Sequence, residues 1–163
     1  MMGAGKSTVG ALLATRLGWP YSDSDAEVEQ RTGTTVPEIF AASGESAFRA
    51  EEAEVLEAAV TSDGPLVVSV AGGAVLSADN RRLIRSAGVV VWLRAEVETL
   101  AARVGKGAGR PLLNPDPVTA LSRLYQERRP LYQELADVTI DVDKLSPGEI
   151  VERIMAHWEH AHA

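Results

Sequence analysis

The chain opens Met1-Met2-Gly3-Ala4-Gly5-Lys6-Ser7-Thr8. Gly-Lys-Ser/Thr at a helix start is the closing half of a phosphate-binding loop. In such a loop backbone N–H groups wrap phosphates, a long cation bridges the terminal ones, and a small hydroxyl holds Mg²⁺. Glycine is required because no side chain fits where the backbone approaches a phosphate. The complete pattern also asks for a Gly five residues before Gly5, preceded by a buried strand. Met1 stands four residues before Gly5, one short of that position. Taken alone, Gly-Lys-Ser-Thr is also compatible with a plain N-terminal entry into a helix.

Other residues gain meaning when set beside this loop. Tyr21-Ser22-Asp23-Ser24-Asp25 leaves a strand end after the first helix. Two carboxylates at i and i+2 there can divide labour, one toward a metal and the other toward a substrate hydroxyl; turn or helix-cap aspartates are the alternative. Arg49 and Glu52 stand three apart on one helical face, as a carboxylate-binding fork with its orienting partner or as an ordinary ion pair. Ala71-Gly72-Gly73 follows a strand, at the edge where open α/β sheets bind ligands, or makes a tight turn. Gly105–Leu112 carries Arg110 in a Gly-rich loop. Arg128-Arg129-Pro130-Leu131-Tyr132 can reach an anion or form a charged helix face.

The elements that must position these residues alternate in period. Helices are expected over 6–17, 24–33, 36–43 and 45–61, with breaks at Gly33 and Gly44, and again over 96–104, 115–135 and 147–160. Strands are expected at Trp19–Asp23, Leu66–Val70, Val89–Leu93 and Val138–Val142. The 66–70 and 89–93 runs are apolar on both faces, as a parallel sheet covered by helices requires. The pattern implies a doubly wound α/β domain.

Composition narrows the function class. The 163 residues are 45% hydrophobic and 24% charged, which is globular. A net charge of −7 disfavours a general nucleic-acid or anionic-membrane binder. With no cysteine, disulfides, thiolate zinc sites and cysteine nucleophiles are excluded. No apolar run reaches membrane-span length, so a cytoplasmic single domain is expected. His157, His160 and His162 read as a solvated tail rather than a metal site.

Six motifs in order and spacing resemble shikimate kinase over essentially the whole chain. They are Gly-Ala-Gly-Lys-Ser-Thr, Asp23-Ser-Asp25, Phe48-Arg49-x-x-Glu52, Gly72-Gly73-Ala-Val, Gly109-Arg110-Pro-Leu-Leu and Arg128-Arg129-Pro-Leu-Tyr132. That family is similar to the nucleoside monophosphate kinases. The resemblance implies a parallel sheet ordered 2-3-1-4-5, helices on both faces, a substrate-binding region (about 24–61) and a lid (about 104–115). It implies transfer of the ATP γ-phosphoryl to the 3-hydroxyl of shikimate, with Mg²⁺, on the route to the aromatic amino acids.

Carried over by motif, Gly3, Ala4, Gly5, Lys6, Ser7 and Thr8 would hold the nucleotide phosphates. Ser7 and Asp23 would face Mg²⁺, and Asp25 would be the base. Arg49 and Arg128 would clamp the shikimate carboxylate, with Glu52 holding Arg49. The Gly72 and Gly73 backbone would meet the ring hydroxyls. Arg110 would descend on the transferring phosphoryl, and Arg103 and Pro147 would flank adenine. A monomer acting on shikimate and ATP is expected.

The chain departs from the family at Ala71, where a third Gly is usual, and at Asp141-Val142, where Asp-Thr is. It also lacks the family's first strand, which suggests a start assigned too late or a truncation. The rival expectations are another small-molecule kinase of this fold, such as a gluconate kinase, or an incomplete nucleotide-binding domain without turnover.

Overall fold

The computed structural model describes residues 1–105, 111–113 and 116–162. Chain order is α1 (Lys6–Leu17), β1 (Tyr21–Asp23), α2 (Ser24–Thr32), α3 (Val36–Val60), β2 (Val67–Ser69), α4 (Ala78–Ala87), β3 (Val91–Arg94), α5 (Val97–Val104), α6 (Pro117–Leu135), β4 (Val138–Asp141) and α7 (Pro147–His162). Single 3₁₀ turns lie at Ala74–Leu76 and Pro111–Leu113.

All strand pairing is parallel, and it falls into two pairs. β1 lies beside β2, with Tyr21 opposite Val67 and Asp23 opposite Ser69. β3 lies beside β4, with Val91 opposite Val138 and Arg94 opposite Asp141. Among the described residues no strand joins β2 to β3. Removing the first strand from the order 2-3-1-4-5 leaves these two pairs. The four strands are shorter than the expected segments: β1 and β3 begin two residues later, at Tyr21 and Val91, and β2 and β4 end one residue earlier, at Ser69 and Asp141.

Local chemistry accounts for the element ends that matter. Asp23 ends β1 and caps α2, its Oδ1 accepting from the Asp25 N–H at 3.1 Å. Thr35 and Glu38 form a reciprocal capping box at the start of α3, with Pro37 in the first turn. Gly44 interrupts α3 at φ 78° and ψ 177°, so the expected pieces 36–43 and 45–61 are two helices meeting at a kink. Ser146 and Glu149 cap α7 in the same reciprocal way. The helix α4 was not anticipated. Its sequence ADNRRLIRSA has only Leu83 and Ile84 as large apolar residues and buries Asn80 and Ile84.

Two apolar clusters hold the molecule. The larger joins Met1, Ala4 and Val9 to Trp92, Leu93, Leu100, Leu121, Ile140 and Ile154. The smaller, of Val28, Ile39, Phe48 and Val55, lies between α2 and α3. In α1, Val9 and Ala14 are buried while Leu12 is 44% exposed. No helix among the described residues is long and apolar enough to cross a membrane.

Candidate active site

The start of α1, the ends of β1 and β2, and the faces of α2 and α3 enclose a cleft of about 570 Å³. The phosphate loop forms one wall. Gly3 and Gly5 take φ values of 77° and 91°, a left-handed conformation that side-chain-bearing residues rarely adopt. This turns the loop so that the first N–H groups of α1 point into the cleft. Gly3, Gly5, Lys6, Ser7 and Thr8 line it, whereas Ala4 is 1% exposed and packs behind the loop in the core. Lys6 Nζ donates to the Met1 carbonyl at 2.9 Å. Arg103 also lines the cleft, and it donates to the carbonyls of Gly3 (3.4 Å) and Val142 (3.1 Å), tying the loop to the end of β4.

Both aspartates reach this wall. Ser7 Oγ donates to Asp23 Oδ2 at 2.6 Å. Asp23 thus caps α2 through one carboxylate oxygen and meets Ser7 through the other. A hydroxyl and a carboxylate oxygen side by side suit a hard, oxygen-seeking cation such as Mg²⁺, which keeps most of its shell for water and phosphate. No group of three or more His, Cys, Asp or Glu among the described residues forms a metal cage. Asp25 opens onto the cleft beyond Asp23. Desolvation and then the charge of Asp23 push its carboxyl above the ordinary aspartate range, with Lys6 and Arg49 pulling the other way.

The opposite wall is cationic. Arg49 Nη1 donates to both carboxylate oxygens of Glu52 at 2.9 Å, and Nη2 donates to Glu45 at 3.1 Å. Glu52 is 1% exposed, so this is no surface ion pair. Burial raises the Glu52 carboxyl, against the pull of Arg49. Arg128 is 2% exposed. The Nε atoms of Arg49 and Arg128 are both buried without a hydrogen-bond partner. Buried donors are seldom left unsatisfied, and a guanidinium edge is shaped for a carboxylate.

Gly72 and Gly73 complete this wall. Tyr132 donates its hydroxyl to the Gly72 carbonyl at 2.6 Å, and burial pushes that hydroxyl up to about 12. A Cβ on Gly73 would overlap the guanidinium of Arg49. Gly73→Ala should therefore displace Arg49, raising the apparent KM for an anionic substrate about tenfold or more while ATP affinity stays put. Steady-state kinetics in both substrates checks this.

Pro147 opens α7 and does not line the cleft. Arg110, most of the expected lid, and the His160 and His162 side chains lie outside the described residues. His157 Nδ1 sits 2.8 Å from the Arg153 carbonyl, a helix-internal contact. Sequence reasoning missed Tyr21, which stands two residues before Asp23 on β1 and so shares its face. It also missed Gly10, which lets Tyr21 and Ser69 approach α1.

A parallel α/β fold with a phosphate loop facing a carboxylate and two buried arginines defines a phosphate-loop kinase of small molecules. The shikimate kinase family profile matches residues 2–159, and the chain belongs to that family. It is 45% identical over 156 residues to a shikimate kinase of Pseudomonas savastanoi pv. phaseolicola, covering 95% of this chain and 90% of that one. It is 48% identical over 159 residues to one of Symbiobacterium thermophilum, covering 95% and 90%. The solved shikimate kinase from Acinetobacter baumannii, in complex with shikimate, superposes with a TM-score of 0.95 at 38% identity, covering 98% of this chain and 89% of that one.

Proposed function

We propose that the cleft binds ATP and shikimate together and transfers the γ-phosphoryl group to the 3-hydroxyl of shikimate. The observation that carries this is the pair of buried, unpartnered Nε edges on Arg49 and Arg128, two residues that line the cleft together with the phosphate loop and Asp25. Shikimate is a carboxylate with ring hydroxyls. Its carboxylate fits the two guanidinium edges, and the Gly72–Gly73 backbone fits the hydroxyls.

In the step itself the acceptor oxygen attacks the γ-phosphorus, the bond to the β–γ bridging oxygen breaks, and ADP leaves. Asp25 takes the hydroxyl proton, and its raised carboxyl makes it a better base than an ordinary aspartate. Lys6 and the Gly3–Thr8 loop hold the β- and γ-phosphates, Arg103 borders the nucleotide, and Arg110 closes over the transferring group. Ser7 and Asp23 would hold Mg²⁺, which supplies charge neutralisation on the phosphates. Positioning and charge neutralisation supply nearly all the catalysis of phosphoryl transfer, and this set of residues provides both.

Residues 1–163 then make one kinase domain. The small cluster of α2 and α3 serves as the substrate-binding region (about 24–61), and the segment near 104–115 serves as a lid. The reaction is assigned to a single copy of the chain in the cytoplasm, where ATP is supplied.

Arg49→Ala and Arg128→Ala should each cost about 2–4 kcal/mol of shikimate binding, a KM rise of about 30- to 1,000-fold, since each removes a charged contact from a desolvated cleft. An analogue lacking the carboxylate should be indifferent to both substitutions. Equal losses for shikimate and the analogue would overturn the clamp.

A further inference from the structure

Tyr21, on β1, belongs to a polar chain that the phosphate-transfer chemistry above does not use. Its hydroxyl lies 3.0 Å from Ser69 Oγ and 3.3 Å from Asp23 Oδ2. Ser69, buried at the end of β2 and paired with Asp23 across the strands, donates to the Lys6 carbonyl at 2.9 Å. Ser7 meets the same Asp23 oxygen from the other side. Three elements are thereby linked: the first turn of α1, β1 through Tyr21 and Asp23, and β2 through Ser69.

Proton counting gives the chain a direction. Ser69 has one hydroxyl proton and spends it on Lys6, so toward Tyr21 it can only accept. Tyr21 also has one proton, with two acceptors in reach: Ser69 Oγ and Asp23 Oδ2. Asp23 Oδ1 is occupied by the Asp25 N–H, so only Oδ2 is left to be oriented by side-chain hydroxyls. Tyr21 is half-buried.

The packing that brings these groups together is tight. A Cβ on Gly10 would lie 2.5 Å from Ser69 Oγ and 2.7 Å from Tyr21 Cε2. Gly10, buried in the middle of α1, is what permits the helix to sit this close to the two strands.

We propose that Tyr21 and Ser69 are positioning residues that fix the Asp23 carboxylate and the first turn of α1 relative to each other, preorganising the oxygens that face the cation of a bound nucleotide. This rests on the kinase reading for the identity of that cation. Groups that orient a metal-facing carboxylate commonly change metal affinity by about 10–100-fold when removed. Tyr21→Phe deletes only the hydroxyl, and Ser69→Ala deletes the link to Lys6.

The test is calorimetric titration of the full chain with ATP, in Mg²⁺ and separately in EDTA, with thermal melts of each variant. Tyr21→Phe should weaken Mg·ATP binding about tenfold and leave binding of metal-free ATP, the shikimate KM and the melting temperature near their original values. Ser69→Ala should do the same, and the double substitution should cost little more than either alone, because both break one chain. Unchanged Mg·ATP affinity, equal weakening of both ATP forms, or full additivity would each overturn the proposal. Failure of the unsubstituted chain to bind Mg·ATP would instead strike the kinase reading, so the two failures are distinguishable.

Discussion

Asp25→Asn should abolish phosphoryl transfer and leave ATP affinity nearly unchanged. Asp25 lines the cleft with the loop and Asp23, and in the proposed reaction it meets the acceptor hydroxyl rather than the nucleotide. Losing a positioned base removes about 10²–10⁴-fold of rate. The direction of its titration gives a second readout. Desolvation and Asp23 hold the Asp25 carboxyl above the ordinary range, and the base must be ionised to work. Turnover should therefore rise with pH through that raised value and then level off, an acid limb the substitution erases. The same shift has a stability sign. A carboxyl raised in the folded state is ionised at a cost above that value, so Asp25→Asn should not lower the melting temperature at neutral pH. Kinetics across pH, nucleotide titration and thermal melts check the three statements; near-wild-type turnover would remove Asp25 from the mechanism.

A second large effect is expected from joining the two strand pairs. β2 and β3 each pair on one side only among the described residues, and the family's strand order places its central strand between them. An N-terminal extension of about eight residues, mostly apolar and ending in Gly, has the length of an ordinary strand. Each side chain it buries contributes about 1.5–3 kcal/mol, against ~1–2 kcal/mol per residue for ordering the backbone. It would also pair backbone groups on both neighbours. The net gain should be on the order of a few kcal/mol, raising the melting temperature by roughly 10 °C in a domain of this size. The added Gly falls at the first glycine position of the phosphate loop, so ATP affinity should rise with stability. Equal melting temperature and equal affinity with and without the extension would show that the split sheet needs no such strand.

Much of this was legible in the sequence, for identifiable reasons. Gly33 and Gly44 announced element ends because backbone conformation is local. The parallel pairs followed from runs apolar on both faces. Asp23, Asp25, Arg49 and Arg128 were legible because their residue types and spacing recur as motifs. What stayed hidden depends on the third dimension. Spacing alone left Arg49 and Glu52 open to the reading of a surface pair, and only the fold buries Glu52 to 1% exposure. The unpartnered Nε edges, the raised Asp25 carboxyl and the Tyr21–Ser69 link all arise between residues far apart in the chain. Helix α4 escaped because Leu83 and Ile84 are the only large apolar residues in a segment that is otherwise small, polar or charged.

The central claim is that Asp25, Arg49 and Arg128 make this cleft a kinase for a carboxylate-bearing ring alcohol. Phosphorylation of shikimate and of gluconate, measured side by side with ATP and Mg²⁺ and with the product identified by mass, tests it most directly. Shikimate should be converted to its 3-phosphate at a kcat/KM well above that for gluconate, and the preference should shrink when Arg49 or Arg128 is replaced by Ala. Gluconate phosphorylated as well as shikimate, or a preference untouched by those substitutions, would contradict the account.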